Sequence, residues 1–201
     1  MNLFGTVWRK LALIAIGLLA VAAFALPFGL FVTTAVAPEN EQIIIVAPGA
    51  SFAKVARQLE DAGIITDTRY FAWLARIKKS AGLIRTGDYM FREQATPSRV
   101  LERLVKGDVH QYPLTIPEGL TLEEVAARLE AAGLGKAERF LAAARDPQLL
   151  AELEIDAESV EGYLFPETYL IPKGYGEKRL IRRMVAELRK RLPVVNFDIV
   201  K

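Results

Sequence analysis

Hydrophobic and polar positions change their period several times along the chain, and each change marks an element. From Leu11 to Val32 there are 22 residues without a charge, rich in Leu, Ala, Ile and Phe. As a helix that stretch is about 33 Å long, enough to cross the hydrocarbon of a bilayer. A polar tether at 34–41 contains Pro38; Gln42-Ile-Ile-Ile-Val46 then reads as a strand, and Pro48-Gly49 turns the chain. Ser51 suits an N-cap, and Phe52, Val55, Ala56, Leu59 and Ala62 make one apolar stripe that stops at Gly63, placed at C′. A second helix is predicted from Asp67 to about Ser80, with Tyr70, Phe71, Leu74 and Ile77 inward. Thr86–Phe91 reads as a strand, Pro97 opens a helix that ends at Gly107, and His110–Ile116 forms the next strand.

The pattern then recurs. Ser51 to Ile64 aligns with Thr121 to Leu134 at an offset of 70, with six identities in fourteen positions. Both copies follow a strand and a proline turn, Ala47-Pro48-Gly49 and Ile116-Pro117-Glu118-Gly119. A duplicated supersecondary unit explains this, and so does the general likeness of amphipathic helices made of Ala, Leu and Glu. Short helices are predicted near 136–145 and 146–153, followed by a loop at 161–172. A last helix over Glu177–Leu192 carries Leu180, Ile181, Met184, Val185 and Leu188 on one face. That face is expected to need cover from chain beyond residue 201. Its other face is basic: eight Lys or Arg against two Glu between Lys173 and Arg191, the pattern of a solvated surface.

Composition adds a few exclusions. Hydrophobic residues make up 52% of the chain, and the apolar stretch accounts for the excess. Arg9 and Lys10 precede that stretch, while Glu39 and Glu41 follow it. The positive-inside rule puts residues 1–10 in the cytoplasm and the remainder outside. A cleaved signal peptide is the rival, since Ala35-Val36-Ala37 has the small-x-small form; against it, the apolar run exceeds a signal core and Pro38 would follow the cut. The absence of cysteine excludes disulfides and thiol chemistry, and His110 as the sole histidine excludes a His-rich metal site. The net charge of +2 names no partner. With the basic helix outside the cell, nucleic acid is excluded as one.

The densest candidate chemistry is Glu161-Gly-Tyr-Leu-Phe-Pro-Glu-Thr-Tyr169. Its period is neither 2 nor 3.6. Aromatic faces beside carboxylates suit a carbohydrate cleft, because sugar rings stack on the one and hydrogen-bond to the other. The other reading is a buried turn whose rings fill a core. Glu161 and Glu167 are the motif's acids; Tyr163, Phe165 and Tyr169 stack sugars or pack. Glu118, between Pro117 and Gly119, reads as a turn residue.

Together with Gly82-Leu-Ile-Arg-Thr-Gly-Asp-Tyr89 and Thr115-Ile-Pro-Glu-Gly119, this motif resembles the YceG-like (MltG) family of endolytic murein transglycosylases, over nearly the whole of Leu11 to Leu192. The resemblance implies an α+β protein: a transmembrane helix at 11–33, a tether at 34–41, a LysM-like βααβ module at 42–116 that binds amino-sugar glycans, and from 117 to 201 the start of a mixed α/β YceG-like catalytic domain. It implies an inner-membrane anchor with the body on the periplasmic side. The implied reaction cuts nascent peptidoglycan glycan strands between N-acetylmuramic acid and N-acetylglucosamine, leaving 1,6-anhydro ends, in company with peptidoglycan synthases. One carboxyl group would act as acid and then as base on the sugar's own C6 hydroxyl, so no metal or organic cofactor is implied. The family's acid/base Glu is expected some fifty to sixty residues beyond the Glu161 motif, past Lys201. The chain therefore reads as truncated, with no catalytic residue of its own and with Glu161, Tyr163, Phe165, Glu167 and Tyr169 as substrate-binding candidates. A non-catalytic, membrane-anchored glycan-binding or scaffold module is the alternative.

Overall fold

The uncharged stretch becomes helix α1, Leu3–Thr33, with Pro27 inside it. A computed structural model describes residues 3–191 of the chain. Within α1, Ala12–Thr33 is long and apolar enough to cross a membrane, with a mean hydropathy of 2.5. The segment after it is not a loose tether. Val36 and Ala95 exchange backbone hydrogen bonds of 3.0 Å each way, and the Gln94 side-chain amide donates to the Ala35 carbonyl at 3.0 Å.

The chain divides into two compact units, between Val109 and His110. The first contains α1 and then β1 (Gln42–Val46), α2 (Phe52–Asp61), α3 (Thr68–Ile77), β2 (Gly87–Phe91) and α4 (Pro97–Lys106). Strands β1 and β2 pair antiparallel, from Gln42 opposite Phe91 to Val46 opposite Gly87. The starts of α2, α3 and α4 are satisfied locally. Ser51 Oγ accepts from the Lys54 N–H, Asp67 from Arg69 and Tyr70, and Thr96 from Arg99, while Gly107 closes α4 in the left-handed conformation. Val55, Leu59, Phe71, Leu74, Tyr89, Phe91, Val100 and Leu104 form the core. Ile77, expected inward, is 60% exposed. The inward stripe of α3 is Phe71, Leu74 and Ala75; Ile77 falls one turn after Trp73, on the edge of the helix outside that stripe.

The second unit runs β3 (Tyr112–Thr115), α5 (Leu122–Ala131), α6 (Ala137–Ala144), α7 (Pro147–Glu152), β4 (Thr168–Ile171) and α8 (Glu177–Arg191). Two expectations change here. The strand predicted from His110 is shorter, and it pairs with β4 rather than with either strand of the first unit. The predicted loop at 161–172 holds a strand, β4, in which Tyr169 and Ile171 face in and Thr168 and Leu170 face out. Pairing with β3, including a 3.0 Å hydrogen bond between the Thr115 and Thr168 hydroxyls, imposes an alternation too short to read alone. A third correction concerns α8. Leu180, Ile181, Met184 and Val185 are buried in this unit's own core with Phe140, Leu149 and Val160, so that face needs no outside cover; Leu188 is half-buried. Leu192 lies outside the described residues.

The two units share one plan, which supports duplication over mere helix likeness. Each has a strand followed by a hydroxyl-capped helix, and Gly63 and Gly133 both end that helix at φ +67°. The deeper signature is in the second strand. Tyr89 sits opposite Ile44, and Tyr169 opposite Leu114. Both tyrosines are buried, and each hydroxyl donates to the carbonyl four residues upstream: Tyr89 to Arg85 at 2.8 Å, Tyr169 to Phe165 at 2.6 Å. Ile44 and Leu114 are themselves 70 apart, the same offset as the helices.

Candidate functional site

In the second unit, the turn from β3 into α5 and the loop before β4 meet around a cleft of about 250 Å³. The turn contributes Pro117, Glu118 and Gly119, and the loop contributes Glu161, Gly162, Leu164 and Pro166. The floor is Ile116, Leu122 and Val125, all buried. Gly119 and Gly162 sit at φ +79° and +80°, which only glycine adopts without strain, so both sides of the cleft turn sharply at a glycine. The loop is held in place by its backbone. Val160 N–H donates to Ala144 at 3.0 Å, Tyr163 N–H to Val160 at 3.0 Å, and Ile116 N–H to Glu167 at 2.9 Å.

An apolar floor with a glutamate on each side offers packing for the C–H face of a flat ring and acceptors for hydroxyls on its rim. The volume lies below the usual range for a whole small-molecule site. No group of three or more His, Asp or Glu among the described residues is placed to hold a metal ion.

The motif residues separate into three roles. Glu161 is exposed and lines the cleft, its N–H on the Ser159 hydroxyl at 3.3 Å. Tyr163 is 37% exposed and does not line the cleft. Phe165 and Glu167 both meet Arg191, the ring 5.6 Å under the guanidinium and the carboxylate 3.5 Å from it, so this pair ties the loop to the end of α8. Tyr169 is a correction: at 2% exposure its ring is core, and no sugar can stack on it. Burial first, then the nearby Glu167 and Glu187 charges, push its phenol up to about 12. Glu118, Leu164 and Pro166 are among the lining residues missing from the sequence-based candidates. A signal existed for Glu118, since at the repeat offset it replaces Pro48 of the first copy with a carboxylate.

Elsewhere in this unit the displaced carboxylates move downward. Lys178 holds Asp146 below its ordinary range, Arg182 does the same to Glu152, and Lys190 with Arg191 to Glu187. A general acid needs the opposite displacement. These three are therefore surface ion-pair partners.

Residues 44–198 match the family model described as the YceG-like family. The chain belongs to the YceG-like family. Two curated relatives, both named endolytic murein transglycosylase and both from Streptococcus pneumoniae (strains D39 and R6), are each 31% identical over 173 residues. That alignment covers 73% of this chain and 31% of each relative, so the chain spans about a third of their length. A crystal structure of a YceG-like protein from Listeria monocytogenes is 22% identical, with a TM-score of 0.40, covering 74% of this chain and 54% of that one.

Proposed function

We propose that this chain is the anchored, glycan-binding part of a peptidoglycan lytic transglycosylase, and that the cleft between Glu118 and Glu161 holds a stretch of glycan strand. The observation that carries the reading is the meeting of two family-bearing segments, Pro117–Gly119 and Glu161–Pro166, around one cleft. The relatives' name supports a murein substrate. In this reading α1 crosses the inner membrane with the body on the periplasmic side, where synthases make the strands. The first unit's βααβ order supports a LysM-like role in holding the amino-sugar polymer. Cleavage between N-acetylmuramic acid and N-acetylglucosamine, with a 1,6-anhydro product, is the activity this reading gives the family's enzymes; none of Glu118, Glu161 and Glu167 is assigned the acid and base role. For these residues alone the expected activity is binding without cutting.

The test is co-sedimentation of the full chain, in detergent, with purified peptidoglycan. Glu161→Gln and Glu118→Gln are each expected to weaken binding several-fold, consistent with loss of about 1 kcal/mol of charge-assisted hydrogen bonding. The same samples should release no anhydromuropeptides. Unchanged binding in the double variant would remove the cleft from the reading, and release of anhydromuropeptides would place the chemistry inside this chain.

A further inference from the structure

Helix α3 keeps one apolar edge only partly covered by protein. Trp73 is 45% exposed and Ile77, one turn on, 60%. The same edge packs onto α1. The Trp73 ring meets Phe24 edge-on at 5.4 Å, and Tyr70 lies against Phe24, Phe28 and Phe31 at 5.8, 6.2 and 5.7 Å. Phe24 is well inside the apolar span. Counted from Lys10, the last charged residue before it, Phe24 lies about 21 Å along the helix axis. A bilayer's hydrocarbon is about 30 Å thick, and tilting the helix only shortens the rise. A bilayer that begins at Lys10 therefore extends past Phe24, and the rings packed on Phe24 lie at lipid level.

Two further observations agree. The chain leaving α1 has no slack, because Val36 is bridged to Ala95 only three residues after Thr33, so the unit cannot stand off the membrane. The charge along α3 is also one-sided. Residues 68–79 carry Arg69, Arg76, Lys78 and Lys79 and no carboxylate, and the N-cap Asp67 is already paired with Arg69. Lys78 bonds the Ser98 hydroxyl at 2.5 Å, while the Arg76 guanidinium stacks on Trp73 at 5.4 Å. A tryptophan at the acyl boundary with cations beside it is the arrangement that interfacial helices use.

We propose that the first unit rests in the headgroup layer of the leaflet from which α1 emerges, with Trp73 and Ile77 at the acyl boundary and Arg76 and Lys79 on anionic headgroups. The occupant of this edge is lipid. The inference rests on the reading of α1 as a membrane anchor. It adds that the glycan-facing surface of the first unit is held at the bilayer and not on a free stalk.

Trp8 and Trp73 are the two tryptophans of the chain, so Trp8→Phe leaves Trp73 as the single reporter. The variant of residues 1–201 is placed in vesicles of phosphatidylethanolamine and phosphatidylglycerol. Expected is a blue-shifted emission, largely lost when the lipids are brominated near the headgroup and little affected by acrylamide in the water. Ile77→Glu should reverse that balance. A chain that floats with the vesicles and resists carbonate extraction, but whose Trp73 is quenched by acrylamide and indifferent to brominated lipid, overturns the seating and leaves the anchor intact. A chain that carbonate extracts overturns both.

Discussion

Replacing Tyr169 with Phe separates packing from ligand binding, and it does so through pH. At neutral pH the phenol donates to the Phe165 carbonyl at 2.6 Å. The variant loses that bond and leaves the carbonyl short of a donor, a net cost of about 1 kcal/mol. The phenol is raised to about 12 in the folded chain, chiefly by burial, against about 10 when unfolded. The neutral form is therefore favoured by folding. Its contribution is intact below about pH 10 and is lost as pH climbs toward about 12, because the unfolded chain releases the proton first. The wild type loses about 1.4 kcal/mol for each pH unit in that window, up to about 3 kcal/mol in all, while phenylalanine loses nothing there. The wild type should be more stable by about 1 kcal/mol at pH 8, equal near pH 11, and less stable above it. Urea unfolding followed by far-ultraviolet circular dichroism, on both proteins across this range, measures the difference directly and cancels the titration of every other group. A constant gap from pH 8 to pH 11.5 would refute the burial argument. Loss of peptidoglycan binding in the variant at pH 8, with stability unchanged, would put the Tyr169 hydroxyl in the site.

Two further outcomes concern the second unit's scaffold. Thr121→Ala should cost about 1 kcal/mol in urea unfolding and more than Ser51→Ala, because Thr121 and Glu124 cap each other reciprocally, at 2.8 and 3.3 Å, whereas Ser51 makes one such bond. Gly135→Ala would put a methyl group 2.7 and 2.9 Å from the Leu129 side chain, which is 1% exposed and has nowhere to move. It should cost about 1–3 kcal/mol, with part of that recovered by adding Leu129→Val, whose smaller side chain relieves the crowding.

Much of the fold was legible in the sequence where the cause is local. An N-cap oxygen bonds an N–H two or three residues ahead, and a glycine at φ +67° ends a helix within one turn. So Ser51, Asp67, Gly63 and Gly107 announced their helices correctly. The length and apolarity of the first helix needed no partner to be read either. The apolar stripes of α2 and α8 were visible too, since a period of 3.6 repeats several times within each.

What the tertiary structure alone decided is non-local. A four-residue strand shows too little alternation to declare itself, and β4 exists because β3, more than fifty residues earlier, offers it a ladder. That pairing turns Tyr169 inward and makes it core, although its residue type fits a sugar platform equally well. It also brings Glu118 beside a loop forty residues downstream, creating a cleft that neither segment contains. The partner that covers the apolar face of α8 turned out to be the helices just before it. A sequence states which face of a helix or strand must be hidden, because that follows from residue type and period. It does not state what hides it, because contact between distant segments depends on how every element packs at once.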